Sequence, residues 1–122
     1  DWEMYDLHTY LQQHETLLLH DQNGKKVTIF NQGVFDLSQA EMRTLWVNVV
    51  KTAKESGYID GIFADRGTAN AAYGNLTETK KAAFIKGHGL LLQEAQEVLG
   101  KDSVLISNNQ DWDGITGRMF EN

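Results

Sequence analysis

The stretch Tyr58-Ile59-Asp60-Gly61-Ile62-Phe63-Ala64-Asp65 decides the fold. Its centre, Ile62-Phe63-Ala64, is apolar on successive residues, which is the pattern of a buried parallel strand rather than of an exposed edge. An amphipathic segment precedes it. Ser38 and Glu41 match a capping box. Met42, Leu45, Trp46, Val49, Val50 and Ala53 then repeat at i, i+3, i+4, i+7 spacing. This predicts a helix over 39–56 with Trp46 in the core and Gly57 as its stop. A loop over 66–76 follows, then a second helix over 77–99 with Phe84, Leu91, Ala95 and Val98 inward and Gly100 as its stop. Gly87 and Gly89 weaken that helix but permit close packing. Val104-Leu105-Ile106 reads as another buried strand, ending at Ser107-Asn108-Asn109. After the polar loop 110–114, the run 115–120 reads as one more strand, closing at Glu121.

Toward the N-terminus, Val27-Thr28-Ile29-Phe30 reads as a strand. Asp21-Gln22-Asn23-Gly24 is a turn. Lys25 and Lys26 stand where a calcium loop would need further acidic ligands, so no metal is expected there. Residues 2–13, with Met4, Leu7, His8 and Leu11 at helical spacing, predict a short helix.

Strands alternating with helices of this length imply right-handed βαβ units and a parallel sheet. A parallel sheet is covered on both faces, and so few elements leave it thin and open. The pattern also stops directly after a strand. The fold expected is therefore α/β, about half of a (β/α)8 barrel, forming a single partial domain over 1–122. The lack of an initiator Met suggests a processed or truncated product, with the remainder of the barrel coming from missing segments or other chains. The competing fold, a compact flavodoxin-like domain, calls for a phosphate-binding glycine loop, and neither G-x-G-x-x-G nor a Walker motif is present.

Hydrophobic residues make up 41% of the chain, enough for a core. No apolar run approaches the roughly 18 residues of a membrane span. The net charge is −6, and the 11 Lys and Arg are scattered. That balance argues against nucleic acid, whose binding draws on clustered cations neutralising phosphates. There are no Cys, which removes disulfides and thiolate metal sites. The four His lack any zinc-ligand spacing and read as structural or surface residues. No serine has the G-x-S-x-G context of a nucleophile elbow. No cofactor is expected. Asn75-Leu76-Thr77 is a glycosylation sequon in a polar stretch, with an unmodified loop Asn as the equal alternative.

Ligands of α/β folds bind at the carboxyl ends of the parallel strands. Here those ends carry Asn31 with Asp36 nearby, then Asp65-Arg66, Asn108-Asn109 and Glu121. The two carboxylates that end strands, Asp65 and Glu121, are separated by the 104–107 strand. Alternate barrel strands contribute to the same interior layer, so the pair can face across the barrel mouth. Glycoside hydrolysis needs such a pair, one carboxyl group protonated and the other ionised. The alternative for Asp65 is pairing with Arg66 or capping the loop. Asp60, five positions earlier, falls on the opposite face of a regular strand and suits the strand's start. Asp36 either contacts substrate or helps the turn into the helix, with the turn slightly favoured. Asn108 and Asn109 can donate to and accept from sugar hydroxyls, or stabilise their loop. Trp112 offers a face to a pyranose ring.

The string Ser56-Gly-Tyr-Ile-Asp-Gly-Ile-Phe-Ala-Asp-Arg66 resembles the D-G-[IVF]-F-x-D strand of glycosyl-hydrolase-like TIM barrels, a largely uncharacterised and often secreted group. Phe35-Asp-Leu-Ser38 with Trp46 resembles the segment one βα unit earlier. Val104-Leu-Ile-Ser-Asn108 resembles the next strand, and Gly117-Arg-Met-Phe-Glu121 the one after. The order and spacing match over 27–121. The resemblance implies a TIM barrel of about 250 residues or more when complete. It also implies a carbohydrate substrate or ligand, secretion, and Asp65 and Glu121 as catalytic residues. Arg66 beside Asp65 holds that carboxylate ionised, favouring nucleophile or base over acid. The competing function is a non-catalytic carbohydrate-binding or defence/toxin protein on the same scaffold.

Overall fold

The structure, a computed structural model, describes residues 7–29, 31–64, 75–108 and 112–119. Helix α1 covers Leu7–Gln13 and leads into a 3-10 turn at Glu15–Leu17. The remainder of the predicted 2–13 helix lies outside the described residues. Strands β1 (Thr28–Ile29) and β2 (Gln32–Gly33) follow. Helix α2 is Ala40–Glu55, β3 is Gly61–Ala64, α3 is Glu78–Leu99, β4 is Val104–Asn108 and β5 is Gly117–Met119. The chain is mixed α/β, with a small parallel sheet and, among the described residues, three α-helices.

β3, β4 and β5 form that sheet in this order, both pairings parallel. Ile62 is level with Leu105 and Ala64 with Ser107, while Asn108 is level with Met119. Both helices cover one face. Val50 of α2 and Leu92, Ala95 and Leu99 of α3 pack with Ala64 and Leu105, joined by Ile62, Trp112 and Ile115. On the opposite face Phe63 and Val104 remain 49% and 42% exposed. The apolar centre of β3 is thus buried on one side only within this chain. Tyr58, expected inside that strand, precedes it and is fully exposed.

A second core cluster fills the space beneath the N-terminal segment. Leu17, Leu18, Leu19, Val27, Leu37, Met42, Leu76 and Phe84 meet there, and Trp46 and Val47 bridge it to the sheet cluster. Trp46, partly buried, is therefore packed against both clusters, the side its place in the apolar stripe predicts.

Two expectations need correction. Val27–Phe30 is not the first strand of the parallel sheet. Its described part pairs antiparallel with β2, Thr28 opposite Gly33 and Ile29 opposite Gln32. Asn31, at a φ of 63°, supplies the left-handed residue that tight hairpins need. The second correction concerns Ser38 and Glu41, which make no capping box. The N-cap of α2 is Gln39, with no side-chain cap, because the Ser38 hydroxyl donates instead to Asp36 (2.6 Å).

Helix α3 behaves as read. The Thr77 hydroxyl accepts from the Lys80 amide (3.1 Å), and Gly100 ends the helix at a φ of 90°. Its inward row is Phe84, His88, Leu91, Leu92, Ala95 and Leu99, with Val98 only half-buried. Gly87 shows why a glycine sits mid-helix: a Cβ there would lie 1.9 Å from the Leu37 carbonyl oxygen.

The link between β4 and β5 is unusual. Parallel neighbours ordinarily need a crossover of a dozen or more residues, usually a helix. Here residues 109–116 suffice. The described part descends along α3, with Trp112 against Gly89, Gly114 against Gln93 and Thr116 on Gln96. Gln96 replaces the missing helix as a fastener. Its Oε1 accepts from the Thr116 amide (3.1 Å) and hydroxyl (2.7 Å), and its Nε2 donates to Gly100 and Ser103 carbonyls (3.1 and 2.9 Å). The Thr116 hydroxyl also accepts from the Leu105 amide (3.1 Å), tying the connector to β4.

Candidate active site at the strand ends

Because β3, β4 and β5 are parallel, their carboxyl ends lie on one edge of the sheet. In sequence these ends lead directly to Asp65, to Asn108-Asn109, and through Phe120 to Glu121. β4 separates the strands that lead to the two carboxylates, as the sequence suggests. Asp65, Arg66, Asn109 and Glu121 lie outside the described residues, and Asn108 is described by its backbone alone.

Among the described residues, the densest polar cluster surrounds Asp36, at the start of α2. Its carboxylate is buried, and both oxygens are occupied. Oδ1 accepts from the Ser38 amide (3.2 Å) and hydroxyl (2.6 Å). Oδ2 accepts from Gln39 Nε2 (3.0 Å) and Lys80 Nζ (2.7 Å). Lys80 also donates to the Ser38 hydroxyl oxygen (2.9 Å), and Gln39 to the Thr16 carbonyl (2.6 Å). Burial disfavours the ionised form. The hydrogen bonds from Lys80, Ser38 and Gln39, with the charge on Lys80, outweigh it and hold the carboxyl below its ordinary value.

The arrangement is an Asx-type turn into α2 that also grips the first turn of α3. It thereby fixes where the chain re-enters the helix after β3. The turn reading of Asp36 rests on these bonds. Lys80 was not singled out from sequence. In Thr77-Glu78-Thr79-Lys80-Lys81 it looks like one solvated charge among several, and only the tertiary contact 44 residues back distinguishes it. Asp36-Leu37-Ser38 did carry the local signal of an Asx turn.

Nearer the strand ends, Trp112 is half-buried. A Cβ on Gly89 would lie 3.1 Å from its ring, and the His88 ring is 4.9 Å away at a tilt of 40°. His88 is buried in α3, and burial pushes it down to about 4, so the imidazole is neutral near pH 7. His14 and His20 are structural. Their Nδ1 atoms donate to the Tyr10 and Leu18 carbonyls, both at 2.8 Å. Asn75 is exposed, its Oδ1 accepting from Gln22 Nε2 (2.6 Å). Asp21 caps its own turn, accepting from the Asn23 and Lys25 amides (2.8 and 3.0 Å). No group of three His, Cys, Asp or Glu among the described residues could hold a metal ion. No described helix is long and apolar enough to cross a membrane.

No curated protein matches the chain. A family model does, over residues 1–122, and on that match the chain belongs to hypothetical glycosyl hydrolase family 15.

Proposed function

We propose that this chain supplies about half of a (β/α)8 barrel that hydrolyses glycosidic bonds of an oligo- or polysaccharide, with Asp65 and Glu121 as its carboxylate pair. One observation carries the reading. The helices lie on a single face of a parallel sheet, and the other face leaves Phe63 and Val104 exposed. A parallel sheet covered on one side by helices and closed on itself on the other is a barrel, whose interior is filled by side chains of its strands.

Strand alternation gives the pair its place in this reading. Positions 61 and 63 share a face with 104 and 106, and 106 is level with 117. Continued at period two, the same face takes 65, 108 and 121. Asp65, Asn108 and Glu121 would then face the barrel mouth together. Arg66 adjoins Asp65, so Asp65 serves as the ionised nucleophile or base and Glu121 as the acid. Asn108, Asn109 and Trp112 contact the glycan beside them. A separation of about 5–5.5 Å between the carboxyl groups gives retention, and about 6.5–9.5 Å inversion.

The family's name supports hydrolysis of sugars in general terms. The test uses Asp65→Asn and Glu121→Gln in the intact protein, assayed by release of reducing ends from a glycan that the unaltered protein cleaves. Each change is expected to reduce kcat by orders of magnitude with folding retained. Full hydrolysis by either variant, or glycan binding without any hydrolysis by the unaltered protein, would refute the assignment.

A further inference from the structure

Asn75-Leu76-Thr77 spans the entry to α3, and the fold treats its three residues differently. Leu76 is buried, 7% exposed, in the cluster beneath the N-terminal segment. Asn75 and Thr77 on either side of it are exposed. Gln22, from the turn at 21–25, grips Asn75 by both of its oxygens. The Gln22 amide donates to the Asn75 carbonyl (3.0 Å), and Gln22 Nε2 donates to Asn75 Oδ1 (2.6 Å). The Thr77 hydroxyl accepts from the Lys80 amide (3.1 Å) as the N-cap of α3, and the Thr77 carbonyl accepts from the Lys81 amide (2.9 Å).

We propose that Asn75 carries an N-linked glycan, attached through Nδ2 before the chain folds and accommodated afterwards without loss of any of these contacts.

Asn-x-Thr is the acceptor motif for such a glycan, which is bulky, solubilising and confined to surfaces. Transfer forms a bond between Nδ2 and the anomeric carbon of an oligosaccharide carried on a lipid diphosphate. The bond from that carbon to the diphosphate oxygen breaks, the lipid diphosphate leaves with the electron pair, and the proton displaced from Nδ2 passes to the medium. The product is still an amide, and Oδ1 keeps its acceptor lone pairs. The bond from Gln22 Nε2 therefore survives the modification, and the main-chain bond from Gln22 does not involve the side chain at all. The described surface around Asn75 is polar and exposed, with Gln22, Asn23 and Lys25 on the turn and Glu78 on α3. These side chains are compatible with sugar hydroxyls.

The same contacts fix the order of events. A transferase has to reach the amide and the hydroxyl of the motif together. In the fold the hydroxyl caps α3, and the residue between the two is sealed into the core. The unfolded chain offers all three residues freely. The glycan stands whether or not the strand ends hydrolyse sugars.

The test takes the intact protein from its natural source and maps its peptides by mass spectrometry before and after peptide N-glycosidase, which releases the glycan and leaves Asp in place of the modified Asn. The glycan is expected at Asn75. Made in a eukaryotic secretory host, the parent and Thr77→Ser are expected to carry it, and Asn75→Gln and Thr77→Asp to lack it. Asp retains an N-cap acceptor for α3 while ending the motif, so Thr77→Asp should lose the glycan with its helix content unchanged by circular dichroism. Protein first folded without glycan is expected to take none up from a solubilised oligosaccharyltransferase and its lipid-linked donor. The proposal is overturned if Asn75 of the natural protein is bare or if Thr77→Asp keeps the modification. It is equally overturned if the folded, unmodified protein is glycosylated as fully as the secreted chain.

Discussion

Replacing Asp36 by Ala tests whether the cluster at the start of α2 is a structural joint. The change strips an acceptor from four donors: the Ser38 amide, the Ser38 hydroxyl, Gln39 Nε2 and Lys80 Nζ. Hydrogen bonds to a charged group contribute about 1.5–3 kcal/mol each in isolation, but they share one carboxylate and do not add. Gln39 keeps the Thr16 carbonyl. The Lys80 side chain is 32% exposed, so water can recover part of its solvation. Breaking a buried ion pair costs about 3–5 kcal/mol, and the exposure of Lys80 places this case at the lower end, about 3 kcal/mol. Urea unfolding should show a lower midpoint with an unchanged slope. A cycle with Lys80→Met should give a coupling of about 1 kcal/mol or more between the two residues. The carboxyl is held below its ordinary 3.8 in the fold, so it stabilises above that pH and loses the contribution as pH falls through its lowered folded value. The Ala variant should therefore lack part of the parent's acid sensitivity. A loss under about 1 kcal/mol with no coupling to Lys80 would refute the joint, since surface ion pairs contribute that little.

Three further outcomes follow from particular contacts. Gly87→Ala should destabilise by about 3 kcal/mol or more in thermal unfolding, because the new Cβ meets the Leu37 carbonyl oxygen at 1.9 Å; a gain of up to about 1 kcal/mol, the usual helix effect of Ala, would show that no close approach exists. Gln96→Ala removes four neutral hydrogen bonds and should lower stability by about 2–3 kcal/mol, with faster amide exchange at Thr116; unchanged exchange there would show that the connector has another fastener. His88, at about 4 in the fold against an ordinary 6.5, favours the neutral fold. Stability should fall as pH drops below 6.5 and level off under about 4, by up to about 3 kcal/mol while the ring stays buried. His88→Phe should flatten that part of the pH profile, and an unaltered slope would assign it to other groups.

Much of the sheet was legible in the sequence because its strands are short, apolar and bounded by turn residues. Val104-Leu105-Ile106 could be read directly, and the 77–99 helix was legible in its apolar row and in Gly100, whereas the Thr77 cap emerges only from the structure. The hairpin was misread because Val27–Phe30 carries the same β-branched signal in either orientation. The deciding residue was Asn31, whose left-handed backbone turns the chain back at once. Ser38 was misread because a local rule assigned its hydroxyl to the helix, whereas a buried carboxylate two residues earlier competes for it and wins. Lys80, Gln96 and His88 make their contacts across tens of residues or with a loop, and single-residue chemistry carries no trace of them. The strand ends could be located from the βα order alone, since the parallel arrangement fixes which end of each strand faces the ligand side.

Because side chains of α3 rather than a crossover helix fasten the segment before β5, the placing of the strand that runs toward Glu121 depends on few atoms. A conventional βαβ unit buries its register in the packing of a whole helix. Here the anchor is a handful of atoms on Gln96 and Thr116, with Gly89 and Gln93 as spacers. Substitutions there could shift β5 by fractions of the 3.3 Å strand step while its ladder with β4 still keeps the same side chains on the same face. The position of the edge strand is thereby set from one flank of α3, separately from the two core clusters.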